Sequence, residues 1–461
     1  MKKRFGSILL AFAMALTLLP WTAIPASAGE KEPEIMLGTS GIEFDDIVYF
    51  GQQSTSNNLR MWRVLSPAGE TLPVSGENRI LLLSVCARQE IGFGASNQWA
   101  NSPAQMWCKL YYSGDSFSDT ERAAIAETSV EEIDDVSNDV RYHETPCQYY
   151  NGQFYYGAAS LENEHVFFLS AKEAAKIDFS GKKALTENNS PVAWWLRSPE
   201  AKTDNSVGLV DAANGYLSRG NVGKADVYAR PACNLDADSV LLMQAAYNAA
   251  TGDSGAIKAI ASTGSIYQWK LTLLDESRSG FSAVKTAADV NTHGGTVTLS
   301  YTGAKTGSSE YVSVLLCGED GRALGYGVSA PLSKSSGTVT FTLPSLGQTG
   351  HYKLYVFNEQ RNAKFYSNYA SAFQEVELPV TGINVRVDGD ELCYDLGGAP
   401  SNALLIAARY DGGKMTDVQT VDLQNAVNKS DTLTMRGTGS AFKLMLVDKT
   451  TFMPLCNAWE S

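Results

Sequence analysis

Trp194-Trp195-Leu196-Arg197-Ser198-Pro199 is the stretch that decides how this chain is read. Side chains alternate across an extended strand, so Trp194 and Trp195 leave on opposite faces and at least one must enter a core. Two readings follow. In the first, the segment is a ligand platform: indole faces stack on sugars or apolar groups, and Arg197 offers its planar fork to a carboxylate. In the second, one tryptophan packs in the core, the other packs against a helix, and Arg197 pairs internally. Aromatic stripes usually serve packing, so the segment is read first as a fold signature. About thirty residues later, Ala229-Arg230-Pro231-Ala232 sets a second arginine beside a proline. Within a buried strand such an arginine anchors a loop carbonyl or carboxylate, and Arg230 and Pro231 are read the same way.

Between these segments, residues 200–227 carry Lys202, Asp204, Asn205, Asp211, Asn214, Tyr216, Arg219, Asn221 and Asp226 among Gly/Asn turn signals. That content suits adaptable recognition, and it equally suits an ordinary solvated loop. The ligand-binding candidates are therefore Trp194, Trp195, Arg197, Asp204, Asn205, Asp211, Tyr216 and Arg219.

Outward from there, strand signals appear at Ile47–Phe50, Met61–Leu65, Val166–Leu169 and Trp269–Leu274. The run Ile80–Val85, apolar but for Ser84, suits a central strand buried on both faces. Three segments open like helices. Ser102-Pro103-Ala104-Gln105 places a capping hydroxyl before proline at the first helical position, with Gln able to reach back. Met106, Trp107, Leu110 and Tyr111 then mark the expected inner face. Ser118-Asp119-Thr120-Glu121 and Ser170-Ala171-Lys172-Glu173 are capping boxes, with Ala124 and Ile125 expected inward after the first. Residues 45–276 are thus expected to form an α+β head, small helices around a mainly antiparallel sheet. From Ser277 the helix signals vanish. Thr296–Tyr301, Val312–Leu316, Val339–Leu343 and Tyr352–Phe357 predict a β-sandwich over 285–379. Leu404–Ala408, the Asp411-Gly412-Gly413 turn, Val418–Val421 and Phe442–Val447 predict a smaller one over 380–461.

At the other end, Lys2, Lys3 and Arg4 precede the apolar run Ile8–Leu19, and Ala26-Ser27-Ala28 offers a small-residue cleavage site. Residues 1–28 are therefore read as a signal peptide, and 29–44 as a flexible lead-in. The expected location is extracellular, secreted or at the cell surface, with no membrane insertion after cleavage. The net charge of −13 becomes −16 once Lys2, Lys3 and Arg4 are removed. Such a surface repels phosphate backbones and anionic lipid, so a nucleic-acid partner is not expected. Seven cysteines leave one thiol over, and no CxxC occurs.

Catalytic signals are sparse. The chain has four histidines, no HExxH and no G-x-S-x-G. The acidic run Glu131-Glu132-Ile133-Asp134-Asp135 lacks calcium-loop spacing. No metal and no cofactor are expected.

Phe50-Gly51, Trp62-Arg63-Val64-Leu65, Ile80–Ser84, the helix around Trp107, Val166–Ser170 with Glu173-Ala174, Trp194–Pro199 and Arg230-Pro231-Ala232 occur in one order. That order resembles the bacterial domain of unknown function 6273, found in exported, often multidomain proteins. The resemblance covers residues 45–276. It implies a C-type-lectin-like fold, distantly similar to formylglycine-generating enzymes, with Trp62, Arg63, Trp107, Arg230 and Pro231 as structural signature. Here Glu200 stands where the family usually has glycine, and Tyr228-Ala229 where it has Gly-Val. Residues 404–423 and 443–456 resemble an immunoglobulin-like module appended to secreted bacterial proteins, which implies a spacing role. The chain as a whole is then expected to be multidomain, a lectin-like head followed by two all-β immunoglobulin-like sandwiches.

The expected function is an exported, non-catalytic binding or surface protein whose head recognises a glycan or an extracellular protein. An enzyme of formylglycine-generating or hydrolase type, and a purely structural cell-surface module, are the alternatives. If the leader reading holds, the exported protein begins at Gly29. Mass spectrometry of its N-terminal peptide checks this, and a retained Lys2–Arg4 segment would contradict it.

Overall fold

The computed structural model describes residues 32–33, 35–52, 60–67, 78–132, 140–142, 154–156, 159–200, 205–246, 254–263, 268–291, 294–346, 350–380, 382–397, 399, 402–423, 429–456 and 458–461. The fold is mostly β, divided among several sheets with few helices. The proposed leader and cleavage site, and Asp204, lie outside the described residues.

Among the described residues, three α-helices bracket the N-terminal part: α1 (Pro103–Ser113), α2 (Asp119–Ala124) and α3 (Ala171–Ala174). Each starts where its cap signal stands. Ser102, Ser118 and Ser170 accept from the backbone N–H three residues on, and α2 and α3 complete reciprocal boxes through Glu121 and Glu173. Gln105 departs from that pattern. Its amide oxygen accepts from the Asn101 N–H at 2.8 Å, and its amide nitrogen donates to Glu164 at 2.9 Å.

The inner face of α1 differs from expectation. Ala104, Gln105, Cys108 and Tyr111 are buried, whereas Met106 is 54% and Leu110 63% exposed. Small residues on the buried stripe let the helix sit close over strand Val166–Phe167 and Phe168. Met106 and Leu110 lie on the far side.

The strand Arg79–Ser84 is central, paired with Met61–Ser66 on one side and Ala232–Asp236 on the other. Its neighbours continue through Ile47–Tyr49 to Gln268–Leu274. A second sheet carries Trp194–Pro199 between Ser206–Val210 and Tyr228–Ala229. Residues 32–33 and 35–37, expected within a flexible lead-in, form strands instead. Ile35–Leu37 pairs with Val240–Ala245, and Ile35 is fully buried. Its apolar side chain caps a patch that would otherwise face water.

The first sheet does not stop at the head. Gln268–Leu274 pairs in parallel with Asn368–Ala370, and Ile257–Ala259 pairs with Ala323–Val328. Among the described residues this makes one fourteen-stranded sheet running into the following module. The strand Glu310–Cys317 explains how. Val312, Val314 and Leu316 enter the core of the second module, while Leu315 and Cys317 join Ile35, Leu242, Tyr326 and Phe357 in a core shared with the head. A strand buried on both faces is apolar almost throughout, and Val312–Leu316 is so apart from the buried Ser313.

Polar groups fasten the same seam. Arg278 is buried and donates bidentately to Glu310 at 2.6 and 2.9 Å, to Asp275 at 2.9 Å, and to Asn358 and Gln360, both at 2.9 Å. Arg60 donates to the Phe365 carbonyl and lies over the Tyr366 ring at 4.0 Å. Glu359, fully buried, accepts from Ser313 at 2.6 Å, Tyr326 at 2.5 Å and Asn368 at 3.0 Å. Beside it, Lys270 donates to the Asn362 and Ala363 carbonyls. The described residues of 382–461 form two further sheets around a separate core that includes Leu392, Tyr394, Leu405, Phe442 and Leu444.

Burial pushes the Lys270 ammonium down to about 8, against the attraction of Glu359 and with the repulsion of Arg361. A depressed folded-state value stabilises the fold above the unfolded value of 10.5, and that stability is lost as pH falls through 8. Lys270 therefore makes the protein roughly 3 kcal/mol less stable at pH 8 than near pH 10.5. Urea unfolding of wild type and Lys270→Met across pH 8–10.5 isolates this slope. The difference between the two curves should change with pH by that amount, and parallel curves would contradict the assignment.

Candidate functional site

The strand Trp194–Pro199 is buried along its whole length. Trp194 packs edge-on against Phe179 at 5.3 Å, with the Arg230 guanidinium 4.8 Å from its ring centre. Trp195, on the opposite face, meets Phe93 edge-on at 5.8 Å and donates its indole N–H to the Ile91 carbonyl at 2.8 Å. Both indoles are thus core, one on each side of the sheet, and neither presents a face to a ligand. Arg197 is 3% exposed and donates to both Glu173 oxygens at 2.6 and 2.8 Å and to the Phe168 carbonyl at 2.7 Å. Its fork is spent on α3, so the ligand-platform reading of Trp194, Trp195 and Arg197 gives way to packing.

The aromatic residues continue from there. Phe93 meets Trp99, Trp99 meets Phe168, Phe168 meets Trp107, and Trp107 stacks on Tyr111 at 5.0 Å. Tyr111 meets Phe117, which contacts Phe50 and Trp62. Trp62 donates its N–H to the Phe50 carbonyl at 2.8 Å. Next to Phe50, Gly51 sits at φ +103° with space against the Ser116 carbonyl that a Cβ would press at 3.0 Å. The Phe-Gly pair is therefore a backbone requirement.

Residues 206–221 form a hairpin, Ser206–Val210 against Leu217–Asn221, which makes one edge of the second sheet, its first strand paired with Trp194–Pro199. Gly220 permits it: a Cβ there would stand 2.7 Å from Leu209 and 3.1 Å from the Trp195 ring. Asp211 shapes the turn, its oxygens accepting from the N–H groups of Ala213, Asn214 and Tyr216 at 2.9, 2.7 and 3.2 Å. It acts as a turn former. Tyr216 is half-buried at the same turn. Arg219 is exposed and pairs at 3.0 Å with the buried carboxylate of Glu200. Asn205, Asn214, Asn221, Lys224 and Asp226 face solvent along the outer side. The structure thus leaves Asn205 and Arg219 exposed on this hairpin and buries both tryptophans.

Sequence reading passed over Arg88. It follows Cys86 on the strand end and points at the Trp62 and Tyr111 rings, 5.6 and 5.7 Å from their centres. Arg63 pairs with Asp45, and Arg230 donates to the Ser84 carbonyl at 2.8 Å. Burial, then the nearby Arg63 and Arg88 charges, drives the Arg230 guanidinium downward. Burial pushes the Cys86, Cys108 and Cys233 thiols upward, so they act as small apolar groups. None of the six described cysteines is disulfide-bonded. Across α1, Glu164 is buried beside Gln105, and burial raises its carboxyl above the usual value. Among the described residues no group of three His, Cys, Asp or Glu side chains is arranged to hold a metal ion, and no helix is long and apolar enough to cross a membrane.

Residues 77–237 match the family described as domain of unknown function DUF6273. No curated protein matches the chain. Among solved structures, the chicken interferon gamma receptor alpha chain aligns at 11% identity over 38% of this chain and 95% of that one, with a TM-score of 0.18. A tetra-tandem repeat from the extending region of a large adhesion protein aligns at 10% identity over 57% and 67%, TM-score 0.17. Trypsin-activated alpha-2-macroglobulin from Escherichia coli aligns at 14% identity over 68% and 21%, TM-score 0.16. These scores carry no argument about fold or function.

The Arg197–Glu173 pair generates a direct test. Removing one partner of a buried hydrogen-bonded pair costs about 3–5 kcal/mol because the other charge is left in the interior. Arg197→Met and Glu173→Gln should each lower stability on that scale, and the double variant should lose less than the sum. Chemical denaturation of all four proteins measures this. Additive losses would show that the pair is not coupled.

Proposed function

We propose that this chain is an exported, non-catalytic binding protein. A lectin-like head over 45–276 recognises a glycan or an extracellular protein, and immunoglobulin-like β-sandwiches over 285–379 and 380–461 present it. The observation that carries the reading is the outer side of residues 205–226. It exposes Asn205, Asn214, Arg219, Asn221 and Lys224 on a hairpin whose first strand pairs with the buried strand Trp194–Pro199. Short polar side chains and an arginine on a fixed backbone suit hydroxyl-rich or peptide ligands, because little ordering entropy is lost on binding.

Two further features support it. The shared sheet and the Arg278 cluster couple the head to the next module, which suits a protein that must hold a ligand against load. The strongly acidic composition disfavours nucleic acid and anionic lipid as partners. Extracellular location rests on the basic and apolar start of the sequence.

Screening the full-length exported protein against glycan and peptide arrays tests the proposal. A ligand should emerge whose affinity falls tenfold or more in an Asn205→Ala/Arg219→Lys variant that retains the wild-type Tm. Arg219→Lys keeps a cation beside Glu200, so the loss would report on recognition. Turnover of a substrate without stable binding would overturn the proposal in favour of an enzyme. Homotypic association with no ligand would overturn it in favour of a structural module.

A further inference from the structure

Arg88 inverts the usual arrangement of a surface arginine. Ordinarily the aliphatic stem is covered and the guanidinium reaches water. Here the residue is only half-buried, yet Nε, Nη1 and Nη2 are all buried and none makes a hydrogen bond. No ion pair involving Arg88 occurs among the described residues. Its two ring contacts, with Trp62 and Tyr111, supply cation–π attraction but no acceptor.

The surroundings do not neutralise it either. The ionisable groups that feel the Arg88 charge are Cys86, Cys233, Tyr111 and Arg230. Burial holds the two thiols and the phenol in their neutral forms, and Arg230 is a second cation. Arg63 is balanced by Asp45, and among the described residues neither Arg88 nor Arg230 forms an ion pair with a carboxylate; the exposed Glu187, whose charge reaches Cys86, pairs with neither. An isolated ion in a dry interior is severely penalised, and buried guanidinium groups are normally matched by an anion. Water could satisfy N–H groups but would leave the charge uncompensated.

We infer that Arg88 is a binding site for one small oxyanion, walled by Trp62 and Tyr111. A carboxylate or phosphate oxygen pair matches the fork of a guanidinium. Gln89, the next residue along the chain, accepts from the half-buried Trp107 at 3.1 Å, and Trp107 stacks on the Tyr111 wall. The oxyanion therefore sits behind the Trp107–Gln89 contact, at the junction of α1 with the strand Gln89–Glu90. The site is independent of the hairpin surface and of the binding reading built on it. It accommodates a free ion or the acid group of a sugar.

The test uses the full-length protein at constant ionic strength, with chloride replaced stepwise by phosphate, by acetate or by glucuronate. Phosphate and acetate should each raise Tm by about 3 °C or more over the chloride control at saturation. Arg88→Met should lose that increment. A larger increment with glucuronate than with acetate would assign the site to a sugar acid, and equal increments to a free oxyanion. Crystals of the wild-type protein soaked in selenate give a readout that does not depend on the variant folding. An anomalous selenium peak within hydrogen-bond distance of the Arg88 guanidinium is expected. No oxyanion increment over chloride, or no selenium at Arg88, would overturn the inference and leave ordered water as the partner.

Discussion

The bidentate contact between Arg197 and Glu173 is the constraint on which the head depends. Glu173 has two duties. It closes the capping box on Ser170 that starts α3, and it neutralises the arginine of the buried Trp194–Pro199 strand. Neither charge could lie so deep alone. Because they meet, the strand can be apolar on both faces and place one indole in each layer. Trp194 then closes over Arg230 and Phe179, and Trp195 starts the aromatic succession that runs through Phe93 and Phe168 to Trp62. The hairpin beyond the strand inherits its position from this base through Gly220.

A similar logic operates at the seam between head and second module. Five donors of Arg278 find acceptors on both sides, and Leu315, Cys317 and Phe357 share a core with Ile35 and Leu242. Continuous strand pairing makes the seam part of a sheet, which distinguishes it from two domains joined by a linker. Rigid coupling of this kind is what a presented recognition surface needs, since motion at a hinge would add to the entropy lost on binding.

What was legible in the sequence was local. The serine caps at 102, 118 and 170 require only neighbours three residues away, and all three start helices. The run Ile80–Val85, apolar but for Ser84, is legible as a strand covered on both faces, whereas Val312–Leu316 is legible only as a strand. What was not legible depended on distant partners. Gln105 is buried because Glu164, fifty-nine residues on, accepts from it. That polar position hid the true inner face of α1, and the apolar Met106 and Leu110 pointed to the wrong one. Of the recognition candidates, Asn205 and Arg219 reach solvent, while Trp194, Trp195 and Arg197 do not. A Trp-Trp-x-Arg string looks the same in sequence whether its partners are a ligand or its own core. Arg88 escaped notice because an arginine's burial is set by rings from Met61–Ser66 and α1, not by its own neighbours.

The central claim is that the Trp194–Pro199 strand is scaffold, and that the proposed recognition belongs to the hairpin paired with it. Native-state hydrogen exchange of the Trp195 indole N–H and the 194–199 amides tests this most directly. The account predicts exchange only through global unfolding, with protection equal to that of Leu81–Leu83. Exchange through a local opening of much lower free energy would contradict it, because the tryptophans would then be available to a ligand.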